Sequence, residues 1–336
     1  MKNETSFTPG CFARHVGPWA MEPMEFDARY RAYKDGSLPM VTDSSESVLA
    51  VFAARIAPSS EIIREPQTGW PLYELRTDGI AVIPLVGTLT KVDSKFGGTN
   101  TTRVRKALRT AIGSEHVRGV MFQVDSPGGT VAGTDDLARD VAAAAETKPV
   151  HAYVEDTGAS AAYWIASQAN RITANPTADI GSIGVFAVIE DTSGAYDEAG
   201  IVVHLITTGE FKGAFEDGTT VSGRQLDYAQ GIVDGLNGHF VAAVSAGRGL
   251  SPEVVQGLAD GKSHLAAAAR ELALIDGIGS FDDALLGIAE EIASLRSDLT
   301  VASDPGPGSW AACKRSRKWS LTSAEPTPTV ESDETE

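Results

Sequence analysis

From Gly79 onward the sequence changes period again and again. A β-branched apolar run gives way to a stretch with apolar residues three and four apart, and then a new run begins. "GIAVIPLVGTL" is followed by "TTRVRKALRTAIGS", "VRGVMFQVDS" by "GTDDLARDVAAAAETK", and "PVHAYVED" by "SAAYWIASQAN". β-branched runs bounded by glycine suit a pleated, buried sheet, whereas the 3.6-residue pattern lays one apolar stripe along a helix. Strands separated by helices cannot be hairpin partners, so the crossovers make successive strands parallel. The expected fold class is α/β: βαβ units around a mainly parallel sheet, with helical layers and a helical C-terminal part. "RITANPTADIGSIGVFAVIED" should add a short strand, a turn and a second strand, and "GIVVHLITTG" one strand more.

After Gly218 the strand pattern stops. Ser222 and Gln225 stand in capping-box spacing, and Leu226, Ala229, Val233, Leu236, Phe240 and Val244 follow in helical steps. "SPEVVQGL" and "HLAAAARELALIDGIG" read as shorter helices. Three segments are expected. Residues 1–75 form a helical and irregular preface, with "SSESVLAVFAARI" a helix capped by Ser45. Residues 76–290 form the main domain. Residues 291–336, rich in Pro, Ser, Thr and acidic side chains, form a low-complexity, disordered tail. No internal repeat is visible.

A formal charge of −17 argues against a nucleic-acid partner, because phosphate would be repelled. The basic cluster "KRSRKW" belongs to a tail that soon turns acidic and reads as solvated. Cys11 and Cys313 lie near opposite ends, so no disulfide framework holds a chain of 336 residues. His15, His116, His151, His204, His239 and His264 show neither HExxH nor paired spacing; neither a metal site nor a cofactor is expected. The N-terminal stretch lacks a secretory apolar region, and no run approaches the roughly 18 apolar residues of a membrane span. The expectation is a soluble cytoplasmic chain, without signal peptide or membrane segment.

Three places could carry chemistry. In "VMFQVDSPGGTVAGTDD", Gly128 and Gly129 lie between a strand and a helix, where exposed N–H groups can hold a carbonyl oxygen or a phosphate. Taken alone, Pro-Gly-Gly is an ordinary turn. In "EDTGASAAYWIASQAN", Ser160 is set among Gly158, Ala159, Ala161 and Ala162 at the start of a helix. It reads either as an N-cap or as a nucleophile whose small neighbours leave room for a substrate. Ala162 stands where the G-x-S-x-G elbow would have its last glycine, and no histidine is well set to serve as base. In "LITTGEFKGAFEDG", Lys212 lies on a glycine-bounded loop after an apolar run, where a lysine is usually just solvated. The three together are more suggestive than any one.

"DSPGG", "GASAAYWIAS", "ADIGSIGV" and "TGEFKGAFEDG", in this order and spacing, resemble peptidase family S49. That family includes signal peptide peptidase A and head-maturation proteases of tailed phages. The resemblance covers about residues 79–285, including "AARELALIDGIG". It implies a ClpP/crotonase-like spiral fold with Ser160 as nucleophile, Lys212 as general base and Ser182 orienting the lysine. It also implies an oxyanion hole of N–H groups around Gly128 and Gly129. The absence of a membrane anchor and of a second catalytic repeat brings the chain closer to the phage-type members. The implied role is then prohead maturation in the host cytoplasm, with capsid or scaffold proteins as partners. Cytoplasmic bacterial protein turnover is the alternative. Single-repeat members form rings in which serine and lysine come from adjacent protomers, so a homo-oligomer is expected.

Such a lysine must be neutral to take a proton, and free lysine, with a pKa of about 10.4, is almost wholly charged at neutral pH. Burial in an apolar cleft would favour the neutral form. Glu210 and Glu216 should therefore point away from Lys212 into solvent. The rival readings are a crotonase-type enzyme holding thioester enolates and a non-catalytic assembly protein on the same fold.

Overall fold

The computed structural model describes residues 19–21, 26, 31–32, 60–94 and 97–302, with side chains described to residue 295. The helix expected around Ser45 lies outside these residues. A nine-stranded sheet dominates. At its centre β4 (Ile80–Val86), β7 (Gly119–Ser126) and β9 (Val150–Ala159) run parallel, in that order. Antiparallel β3 (Pro71–Leu75) and β2 (Glu61–Arg64) extend the β4 side. The burial of Ile80, Ala81, Val82, Ile83 and Leu85, and of every residue from Gly119 to Val124, explains the near-continuous apolar runs: both faces of these strands are covered.

The crossovers are the expected helices. α1 (Thr101–Gly113) is capped by Asn100, whose side chain accepts from the Thr102 and Arg103 amides, and it buries Val104, Ala107, Leu108 and Ala111. α2 (Thr134–Ala145) buries Leu137, Ala138, Val141 and Ala144 and carries Asp135 and Asp136 in its first turn, where carboxylates suit the helix dipole. Each leucine fully buried in this way contributes about 1.5–3 kcal/mol. The α/β class and mainly parallel sheet are as expected.

β9 serves two partners. His151–Val154 pair in parallel with β10 (Arg171–Ala174), and Thr157–Ala159 with β11 (Asp179–Gly181). Between them the β7–β9 register shifts, from Val124 opposite Val154 to Ser126 opposite Gly158. Gly158 is required there, because a Cβ would stand 2.8 Å from both Val154 methyl groups. This bulge aims the end of β9 at the short helix α3 (Ala161–Ala166). Parallel β13 (Gly277–Ile278) flanks β10, and antiparallel β12 (Ser263–Leu265) flanks β11.

A second sheet of four strands runs β1 (Trp19–Met21), β8 (Gly128–Thr130), β5 (Leu89–Thr90) and β6 (Thr99–Asn100). α4 (Ser193–Glu198) precedes the long α5 (Gly223–Arg248), which opens with the expected capping box of Ser222 and Gln225 and ends at left-handed Gly249. α6 (Pro252–Leu258), α7 (Ala266–Glu271) and α8 (Phe281–Ala302) follow. α8 crosses the boundary expected at residue 291. Both sheets belong to a compact unit ending at Leu295; of the second unit, Arg296–Glu336, the described residues are helical to Ala302. No helix among the described residues is long and apolar enough to cross a membrane.

"GIVVHLITTG" corrects one expectation. Residues 201–207 pair with no strand among the described residues, and Ile201, Val202, Leu205 and Ile206 are exposed. The β-branched content is there, but no sheet edge among the described residues receives it.

Candidate active site

Ser160 joins β9 to α3. Its backbone lies at φ 54° and ψ −120°, a strained region for a side chain-bearing residue, and its side chain makes no cap hydrogen bond. The N-cap reading therefore fails: an N-cap normally has extended backbone and accepts from the helix's first amides. The conformation is held from both sides. The Ser160 N–H donates to the Gly181 carbonyl at 2.7 Å, and its carbonyl accepts from Trp164 N–H at 2.8 Å. The Oγ is fully buried and bonds to no described residue.

α3 is a rigid support. All six of its residues are buried; Trp164 stacks on Phe240 of α5 at 4.6 Å, and Tyr163 donates its hydroxyl hydrogen to the Leu274 carbonyl at 2.9 Å. Ala159, Ala161 and Ala162 are fully buried, like Ser160 itself.

Gly128 lies against Ser160, and Gly129 follows it in β8. Gly128 has φ +98°, and a Cβ on it would stand 2.9 Å from both the Ser160 Cβ and the Ala161 nitrogen. A Cβ on Gly129 would collide with the Leu89 carbonyl at 1.8 Å, which the β5–β8 pairing accounts for. Ser126 ties the loop down: its Oγ donates to the Gly87 carbonyl at 2.6 Å and accepts from the Gly128 N–H at 3.2 Å. Ala161, which sequence reasoning missed, opens α3, so its N–H has no acceptor within the helix and borders the same space. Its signal was its position directly after a serine at a helix start.

Ser182 follows Gly181 as Ser160 follows Ala159, at the ends of the paired strands β11 and β9. It too has positive φ, 49°, is buried, and its N–H donates to the Lys262 carbonyl at 2.9 Å. Lys212 is different. Its loop is pinned to the start of α5 by the Glu210–Arg224 ion pair at 2.7 Å and by Phe211 stacked on Tyr228 at 5.0 Å. Its side chain is exposed, and no hydrogen bond within the protomer joins it to Ser160. Glu210 and Glu216 are exposed, Glu210 facing Arg224 rather than the lysine.

Residues 142–294 match the model of peptidase family S49. Over 234 residues the chain is 31% identical to capsid assembly protease C of Escherichia phage lambda, covering 68% of this chain and 49% of that protein. Over 223 residues it is 29% identical to protease 4 of Haemophilus influenzae, covering 66% of this chain and 36% of that protein. The chain thus spans half or less of the length of these two relatives. A crystal structure of the ClpP protease catalytic domain from Plasmodium falciparum aligns with a TM-score of 0.37 and 12% identity, covering 59% of this chain and 84% of that one. Residues 142–294 of the chain thus match peptidase family S49, and both relatives it resembles are named as proteases.

Proposed function

We propose that this chain is a serine endopeptidase in which Ser160 attacks a peptide carbonyl and Lys212 serves as general base. The observation that carries the reading is the backbone of Ser160. A strained serine with an unbonded, buried hydroxyl is costly and serves no cap, whereas a nucleophile on a sharp strand-to-helix turn needs that geometry. Proton transfer from Oγ to a neutral lysine would accompany attack. The N–H groups of Gly129 and Ala161 would hold the oxyanion, while Gly128 N–H stays with Ser126. The leaving amine would take the proton back, and water would release the acyl group from Ser160. Ser182 would orient the lysine.

Because Lys212 is exposed in the protomer, it would reach Ser160 from a neighbouring copy. The exposed Ile201, Val202, Leu205, Ile206 and Phe211 supply apolar surface for such a contact around the lysine loop. The working assembly would be a homo-oligomeric ring. The biological role we favour is phage-type prohead maturation, supported by the lambda relative, with capsid or scaffold proteins as substrates. The bacterial relative supports protein turnover instead.

The test is labelling by a fluorophosphonate. Wild type should label at Ser160 and cleave unstructured polypeptide, and Ser160→Ala should do neither. A Ser160→Ala chain that still cleaves would remove the serine from the mechanism. A wild-type chain that assembles but neither labels nor cleaves would favour a scaffold role.

A further inference from the structure

We infer that the segment Trp19–Met21 occupies the acyl-side substrate groove of this chain and acts as an internal blocking strand that must leave before a substrate enters; this rests on the serine-peptidase reading above.

Three observations converge. First, β1 lies antiparallel along the glycine strand beside the candidate nucleophile, with Trp19 opposite Thr130, Ala20 opposite Gly129 and Met21 opposite Gly128. Its C-terminal end is the end nearest Ser160, which is the polarity of a substrate whose carbonyl is to be attacked. Second, β1 is bonded on its other side as well. The Trp19 N–H donates to the Phe186 carbonyl at 2.9 Å, and the Phe186 N–H donates to the Trp19 carbonyl at 3.0 Å. Alternation along a strand then turns the Ala20 polar groups toward β8. The position a Gly128 Cβ would occupy is 2.2 Å from the Ala20 carbonyl oxygen and 2.9 Å from the Ser160 Cβ and the Ala161 nitrogen. The Ala20 carbonyl oxygen thus borders the same small space as the Ser160 Cβ and the Ala161 nitrogen.

Third, Ser160 is completely buried in this arrangement, although a nucleophile has to meet its substrate. A groove between two strand edges is filled by strand addition: the main chain supplies the hydrogen bonds, and alternate side chains enter pockets. Trp19 fills such a pocket, edge-on to Phe26 at 5.3 Å, with Phe26 in turn edge-on to Phe186 at 4.9 Å and Val188 alongside. The same groove would accept an extended peptide with a small residue in the Ala20 place and a large apolar one in the Trp19 place.

The experiment uses the full-length chain in three forms: wild type, Trp19→Ala, which empties the pocket, and Ala20→Pro, which removes a ladder donor. Fluorophosphonate labelling of Ser160 should be at least about tenfold faster in both variants, the change that a 1.4 kcal/mol loss of docking produces. In the same chains carrying Ser160→Ala, a fluorescent peptide of sequence GPWAMEP should bind the two variants and not the Trp19, Ala20 parent. This binding readout needs no catalysis. Failure of the serine reading therefore appears as absent labelling with peptide binding intact, and leaves the groove assignment standing. Variants that melt like wild type but label no faster and bind no peptide would overturn the proposal and make β1 a fixed wall of the site.

Discussion

Gly128 and Ser160 are in such close contact that a methyl group on the glycine would stand 2.9 Å from the serine Cβ. The same methyl would meet the Ala20 carbonyl at 2.2 Å, at a backbone φ of +98° that side chain-bearing residues rarely adopt. Gly128→Ala should therefore cost on the order of 3 kcal/mol of stability, read from urea unfolding, because backbone strain and backbone collision add. Labelling at Ser160 should fall by about 100-fold as the donors beside it shift.

Ser160→Ala should separate function from stability. The hydroxyl is buried without a described partner, a state that costs about 1–3 kcal/mol. Its removal should abolish cleavage while leaving the midpoint of thermal unfolding equal to or above that of wild type. A large loss of stability would mean that the hydroxyl is a structural bond donor.

Lys212 faces outward in the protomer, so the serine and the lysine of one site should come from two copies. Mixing inactive Ser160→Ala with inactive Lys212→Ala should restore activity. With random assembly, about one site in four would carry both groups. Mixtures that stay inactive after dissociation and reassembly would put both residues in one chain.

Arg248 grips Asp276 with two bonds, at 3.0 and 2.8 Å, and the Ile172 N–H adds a third at 2.7 Å. Burial alone would raise the Asp276 pKa, but these bonds, with the charges of Arg248 and Arg171, outweigh it and hold the carboxylate below its ordinary range. A depressed folded pKa contributes stability above the unfolded value, near 3.8, that is lost as pH falls through the folded one. Asp276→Asn should cost about 2 kcal/mol at pH 7, less than a fully buried pair because Asp276 is partly exposed. It should also flatten the acid limb of stability against pH.

His151 tests the opposite case. Burial lowers its pKa below 6.5, against the pull of Glu291 at 2.6 Å. Below about pH 6.5 the unfolded chain takes up a proton that the native chain refuses, so stability should fall with pH by up to about 1.4 kcal/mol per unit. His151→Gln should remove that slope between pH 5 and 7 in denaturant titrations.

What local pattern could establish was the alternation of elements. The continuous apolar runs of β4 and β7 and the stripe of Val104, Leu108 and Ala111 each declare their state within a dozen residues, because periodicity is a local property. The Ser222 cap was legible for the same reason. "GIVVHLITTG" was misread because strand composition needs a partner edge, and pairing is decided by the rest of the molecule.

The chain's motifs singled out Ser160, Gly128 and Gly129, and the order of those motifs was readable without coordinates. Only the tertiary structure decided that a bulge in β9 turns Ser160 into a strained conformation, that Ala161 offers its N–H beside Gly128, and that Trp19–Met21 lies across the site. Those are long-range facts. They depend on which backbone approaches which across tens to more than a hundred residues, and no local preference for helix or strand encodes that approach.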